Sequence, residues 1–146
     1  MTQPVTSDTV FVLFSVKATP PGPAGPMASE MLLIYLQDAG GKVLALAWHA
    51  GSGQWGIQSN GNYLNNFLPS YVADWTQVEL ILDQKRRKAT EILTNGAKQT
   101  VLYNAVNFTD QDAGQLASIQ LVRNKDGNDQ KIAIDDFSVV VPASQP

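Results

Sequence analysis

The 146-residue chain contains no cysteine, which excludes disulfide frameworks and thiolate metal sites. It has one histidine, His49, with no serine or acidic pattern beside it, so a nucleophilic triad has nothing to build on. Charged residues make up only 16%, and the net charge is −3. A chain so short of basic groups is not suited to a polyanion, and no nucleic-acid partner is expected. Long apolar runs are missing too: each apolar stretch is strand-sized, so no membrane insertion by a helix is expected. The opening Met1 to Asp8 has neither a positive segment nor an apolar one, and no signal peptide is read in this chain. Helical periodicity is also missing.

What is there is strand after strand. Val10–Val16 is a β-branched and aromatic run that ends in turn residues, the pattern of a buried strand. Four prolines between Thr19 and Pro26 then forbid both helix and sheet ladder, so 19–29 is expected to be a stiff Pro/Gly-rich loop. Met31–Leu36, Val43–His49 and Gln54–Gln58 follow as a meander, turning at Asp38–Lys42 and at Ala50–Gly53. Ser59-Asn60-Gly61-Asn62 and Asn65-Asn66 mark a long polar loop region with Tyr63, Phe67 and Tyr71 set in it. Thr76, Val78, Leu80 and Leu82 alternate with Gln77, Glu79 and Ile81, so one face of that strand meets a core and the other is mostly wet. Lys88–Thr94, Lys98–Tyr103, Leu116–Arg123 and Lys131–Val141 complete the set. The last strand breaks phase: Ile132 and Ile134 have one parity, Phe137, Val139 and Val141 the other. A β-bulge at Asp135-Asp136 is the simplest way for both sets to reach the core. The expected architecture is all-β, an antiparallel two-sheet β-sandwich over residues 9–141, with tails at 1–8 and 142–146.

Three pieces carry a resemblance: Trp75-x-x-Val78-x-Leu80-x-Leu82-Asp83, the turn Asn95-Gly96, and Ile134-Asp135-Asp136-Phe137-x-Val139. Together they resemble the concanavalin A-like lectin/glucanase superfamily in its laminin-G-like jelly-roll branch, over residues 75–141. The resemblance implies a jelly-roll sandwich with Trp75 in a structural position. Members bind glycans, bind proteins, cleave polysaccharides or serve as structural modules, so it implies no single activity. Members usually carry one or two strands before the segment that matches Val10–Val16. The sheet here is expected to be smaller, or to leave an edge open for a partner strand.

Glucanases of this superfamily place a Glu-x-Asp-x-x-Glu-type cluster on one strand, so that carboxylates on one face flank a glycosidic bond. The chain has no such cluster. Asp110-Gln111-Asp112 has the i,i+2 spacing but lies in a loop without a third carboxylate, and Glu79 and Glu91 stand alone. No enzyme is expected. The resemblance makes Asp135 and Asp136 candidate ligands for a structural calcium. The alternative is a bulge that turns one Asp to solvent and lets the other accept backbone amides. No other cofactor is implied.

Trp48 and Trp55 flank a hairpin, and an indole face can stack on the apolar C–H face of a sugar. Trp48 shares parity with Leu44 and Leu46 and is assigned to the core. Trp55, near a glycine-rich tip, is the better ligand candidate, with His49, Gln54, Gln58 and Asn60 as polar neighbours. Tyr63 and Tyr71 belong to an aromatic and amide loop that forms either a binding lip or a subunit contact. Lys85–Lys88 holds four of the ten basic residues and reads as a solvated turn. The chain is thus expected to be a non-catalytic recognition or adhesion module for a glycan or surface polymer. The alternative is a structural subunit, such as a virion decoration or fibre protein, in contact with other subunits. The sequence does not set a location: the glycan reading implies an extracellular site reached by processing, and the subunit reading a virion surface.

Overall fold

Among the described residues of the computed structural model the regular structure is ten strands, in chain order β1 (Thr9–Ala18), β2 (Glu30–Gln37), β3 (Val43–Ala50), β4 (Gln54–Ser59), β5 (Asn62–Phe67), β6 (Thr76–Asp83), β7 (Lys88–Asn95), β8 (Lys98–Asn107), β9 (Ser118–Lys125) and β10 (Ile132–Val140). The structure describes residues 3–18, 30–50, 54–67, 75–125 and 132–142, with backbone alone at 18, 30, 31, 50, 54, 65–67, 123–125 and 132. The 19–29 loop, the turns at 51–53 and 126–130, Tyr71 and most of the C-terminal tail lie outside the described residues.

The strands form two five-stranded antiparallel sheets, ordered β10-β1-β6-β7-β8 and β5-β4-β3-β2-β9. Alternation of side chains decides what each sheet buries. Thr76, Val78, Leu80 and Leu82 of β6 are buried, as are Val10, Val12, Phe14 and Val16 of β1. These meet Leu32, Ile34 and Leu36 of β2 and Ile57 of β4 in one core between the sheets. Phe108, Ala113 and Leu116, from the connection after β8, join the same core.

Three irregularities adjust the phase. In β10 the pairing steps from Leu13↔Ser138 to Ser15↔Asp135, so one extra residue is absorbed at the Asp135-Asp136 position, where a bulge was expected. Asp136 has φ 53°, the left-handed region that a bulge residue adopts. In β3 the pairing steps from Leu36↔Ala45 to Gln37↔Val43, which makes Leu44 the extra residue. In β8 the register against β7 shifts twice, around Glu91, and Ala105 has φ 52°.

One strand departs from the sequence reading. Asn62–Phe67 was expected to be loop and is β5, paired with β4 through Ser59↔Asn62 and Gln58↔Tyr63. The turn is Asn60-Gly61, with φ 52° and 77°, the doubly positive geometry that a two-residue hairpin demands. The polar asparagines flanking it hid the strand, because an edge strand with a wet face needs no apolar alternation.

Candidate functional site

Register separates the two faces of the β2–β5 sheet. Ala47 pairs with Ile57 and His49 with Trp55, and both pairs share the inward side with Leu32 and Ile34. Trp55 is 2% exposed and stacks on the His49 ring at a centroid distance of 3.9 Å and an interplanar angle of 23°. The expectation that Trp55 and His49 form an accessible sugar platform is therefore corrected: both lie inside the sandwich. The cause is the Leu44 bulge. Leu44 and Ala45 both enter the core, and beyond them the inward positions are odd-numbered. Parity counted from Leu44 assigns Trp48 inward, whereas the strand itself sends Trp48 to the outer face.

Trp48 lies there over Gly56, its register partner on β4. A Cβ added to Gly56 would collide with the Trp48 indole, so the glycine is what admits the ring. Around it on the same face stand Leu33 and Tyr35 of β2, Leu46 of β3, Gln58 of β4 and Tyr63 of β5. Leu46 and Trp48 form a floor, the indole being 8% exposed, while Tyr63 is 67% exposed at the flank. The Gln58 side-chain amide donates to the Gly61 carbonyl at 3.3 Å, which holds it beside Tyr63. The indole Nε1 has no hydrogen-bond partner among the described residues. Trp48 and Leu46 are themselves buried, so what this face presents is the Tyr63 ring with the half-buried Gln58 amide beside it, groups suited to stacking and to hydroxyl hydrogen bonds.

The other predicted residues fall as follows. Asn60 sits at the β4–β5 turn. Its side chain accepts from the Gln111 amide, and its backbone N–H donates to the Phe108 carbonyl at 3.2 Å, so it ties the hairpin to the next loop. Gln54 pairs by backbone with Ala50 and Phe67, and its side chain is outside the description, as is all of Tyr71. Tyr63 and Asn60 therefore share one end of the sheet, and His49 and Trp55 belong elsewhere. Trp75 is 45% exposed, and Thr76 takes the first buried position of β6 instead.

The acidic residues are occupied with structure. The Asp38 carboxylate accepts from the amides of Gly114, Gly40 and Lys42, and the Gly114 bond first among these holds its pKa below the usual carboxylate value. Asp110 accepts from the Val43 amide at 2.8 Å, and Asp112 pairs with Lys42. Asp135 accepts from the Asp136 amide at 2.8 Å. Among the described residues no group of three acidic or histidine side chains gathers to hold an ion. Glu91 is different: it points between the sheets, 1% exposed, with Oε1 unpartnered among the described residues. Burial pushes its pKa up to about 8. Tyr103, its register partner on β8, is raised to about 12 by burial first and by the Glu91 charge second. Sequence reasoning set Glu91 aside as an isolated strand residue. Its parity with Ala89 and Leu93 was the available signal.

No protein-family model matches the chain, and no curated protein matches it in sequence. Solved structures do match in shape. The glycoside hydrolase family 131 catalytic domain from Coprinopsis cinerea superposes with a TM-score of 0.57 at 12% identity, over 93% of this chain and 57% of that one. A tetrameric galectin from the ball sponge Cinachyrella sp. gives 0.51 at 12% identity, over 94% of each chain. The binding domain of botulinum neurotoxin serotype G gives 0.53 at 15% identity, over 99% of this chain and 35% of that one. The chain thus spans a little over half of the hydrolase domain's length. At these identities the likeness shows the fold, an antiparallel jelly-roll sandwich of the concanavalin A-like kind, with enzymes and lectins both among its neighbours.

Proposed function

We propose that this concanavalin A-like sandwich is a non-catalytic recognition module that binds a glycan or surface polymer on the outer face of its β2–β5 sheet. One observation carries the reading: Tyr63 stands exposed beside the Gln58 amide, on a face floored by Trp48 and Leu46. An exposed phenol ring offers a stacking surface, and neighbouring amides offer donors and acceptors to hydroxyls. The sponge galectin, matched over nearly its whole length, supports a lectin-like use of such a sandwich. The hydrolase neighbours favour catalysis instead, but glycoside hydrolysis needs two carboxylates flanking one bond. The described residues of the β2–β5 outer face offer none, and Glu91 faces the interior with no second carboxylate beside it among the described residues.

The test is a glycan-array screen followed by calorimetry, run with calcium and with chelator. Tyr63→Ala is expected to weaken binding about tenfold, or ~1.4 kcal/mol, while the melting temperature stays where it was. Binding that ignores this substitution would move the site off the face. No binding to any glycan would remove the reading. Sensitivity to chelator would revive the structural calcium expected at Asp135 and Asp136, which Asp135→Asn would then test.

A further inference from the structure

Exposed apolar side chains gather on one flank of the molecule. Phe137, Val139, Val140 and Val141 are 40–47% exposed, and Leu121 of β9 is 43% exposed. β10 is the edge of its sheet and β9 the edge of the other. Val139 pairs with Val12 and Leu121 with Ile34, so both belong to the inward faces. Phe137 stacks on the core residue Phe14 at 5.8 Å. The core therefore opens sideways between β9 and β10, and a cavity there is lined by Val5, Leu116, Ile119 and Val139.

Edge strands are ordinarily blunted by lysine, by proline within the strand, or by cover. From Phe137 to Val141 this edge carries no lysine and no proline, and among the described residues no strand pairs with β10 on the side away from β1; the Asp135-Asp136 bulge closes the stretch at one end and Pro142, lacking an N–H, closes it at the other. The pairable stretch is thus 137–141, and its occupant must be an extended strand with apolar residues at alternate positions. The chain's own β10 is such a strand.

We propose that β10 pairs antiparallel with β10 of a second copy, about a two-fold axis through Val139. Register and face select this arrangement. Opposed residues in an antiparallel pair share a face, so pairing Val139 with itself sets Phe137 against Val141 on the inward side and Ser138 against Val140 on the outer side. A slip of one residue would set inward positions against outward ones. In the selected register each Asp136 falls opposite a Pro142, so both limits of the stretch coincide and no like charges face each other. The two sideways openings then meet across the axis, and Phe137, Val139 and Leu121 of both copies close one apolar seam. The interface is self-complementary, as a two-fold contact must be.

The experiment is sedimentation velocity on the full chain from about 5 to about 500 µM, a range over which mass action reveals a modest dimer. Wild type is expected to pass from monomer to dimer. Val139→Lys and Val139→Glu each place like charges on the axis and are expected to remain monomers, with unchanged circular dichroism. An equimolar mixture of the two is expected to restore the dimer, because the axis then joins opposite charges. A wild type that stays monomeric, a single variant that dimerises like wild type, or a folded mixture that stays monomeric would each overturn the proposal. Should the Val139 variants lose the fold, Val140→Lys and Val140→Glu repeat the test, since the Val140 side chains are diagonal neighbours across the same pair.

Discussion

A single tryptophan shows how local a site assignment is. Trp55 and Trp48 lie on adjacent strands, yet one is part of the core between the sheets and the other floors the outer face. Trp55→Ala would leave a large cavity against His49 and is expected to cost about 3–5 kcal/mol. Chemical denaturation measures this directly. A loss under about 1 kcal/mol would mean that the ring is not in the core. The contrast with Tyr63→Ala is the useful one: removing Tyr63 should cost binding without stability, and removing Trp55 stability first. His49 looked like a polar ligand in the sequence because nothing in its neighbours shows that an indole will cover its ring. Among the described glycines, Gly56 is the one whose identity Trp48 requires, since a Cβ there would collide with the indole.

At the scale of elements, the bulges decide which side chains face where. A strand has period two, so one inserted residue exchanges the faces beyond it. In β10 this was legible, because Ile132 and Ile134 break phase with Phe137 and Val139. Asp136→Gly keeps the φ of 53° without a Cβ and is expected to be neutral or to stabilise by up to about 1 kcal/mol. Deleting Asp136 removes the extra residue, turns one half of β10 outward and is expected to cost more than about 3 kcal/mol. Thermal unfolding of the two variants separates them, and equal melting temperatures would show that the bulge does not set the phase. In β3 the Leu44 bulge was not legible, because Leu44 and Leu46 are both aliphatic and conceal the shift. The β4–β5 hairpin was missed for a related reason: its turn signal, Asn60-Gly61, was present but its strand carries polar residues.

For the whole molecule, the buried Glu91 links stability to pH. Its ordinary value is 4.5 and in the fold it rises to about 8, so the folded state holds a proton that the unfolded state releases. This contribution is fully present below pH 4.5 and is lost as pH rises through about 8. Asp38 and Asp112 act in the other direction: the Gly114 amide and the Lys42 ammonium lower their values, so what they contribute is lost as pH falls through the acid range. Denaturation midpoints should therefore decline between about pH 5 and pH 8 in wild type. In Glu91→Gln that decline should flatten. A variant with an undiminished slope would exonerate Glu91. The sequence by itself determined the strands other than β5, the all-β class and the closing bulge, because alternation, β-branching and turn residues act over a few neighbouring positions. Only the tertiary structure decided that Trp48 rather than Trp55 belongs to the outer face, that Glu91 lies between the sheets, and that β10 ends its sheet. Each of these depends on which strand lies alongside and in what register, and a residue's neighbours across a sheet are not its neighbours in the chain.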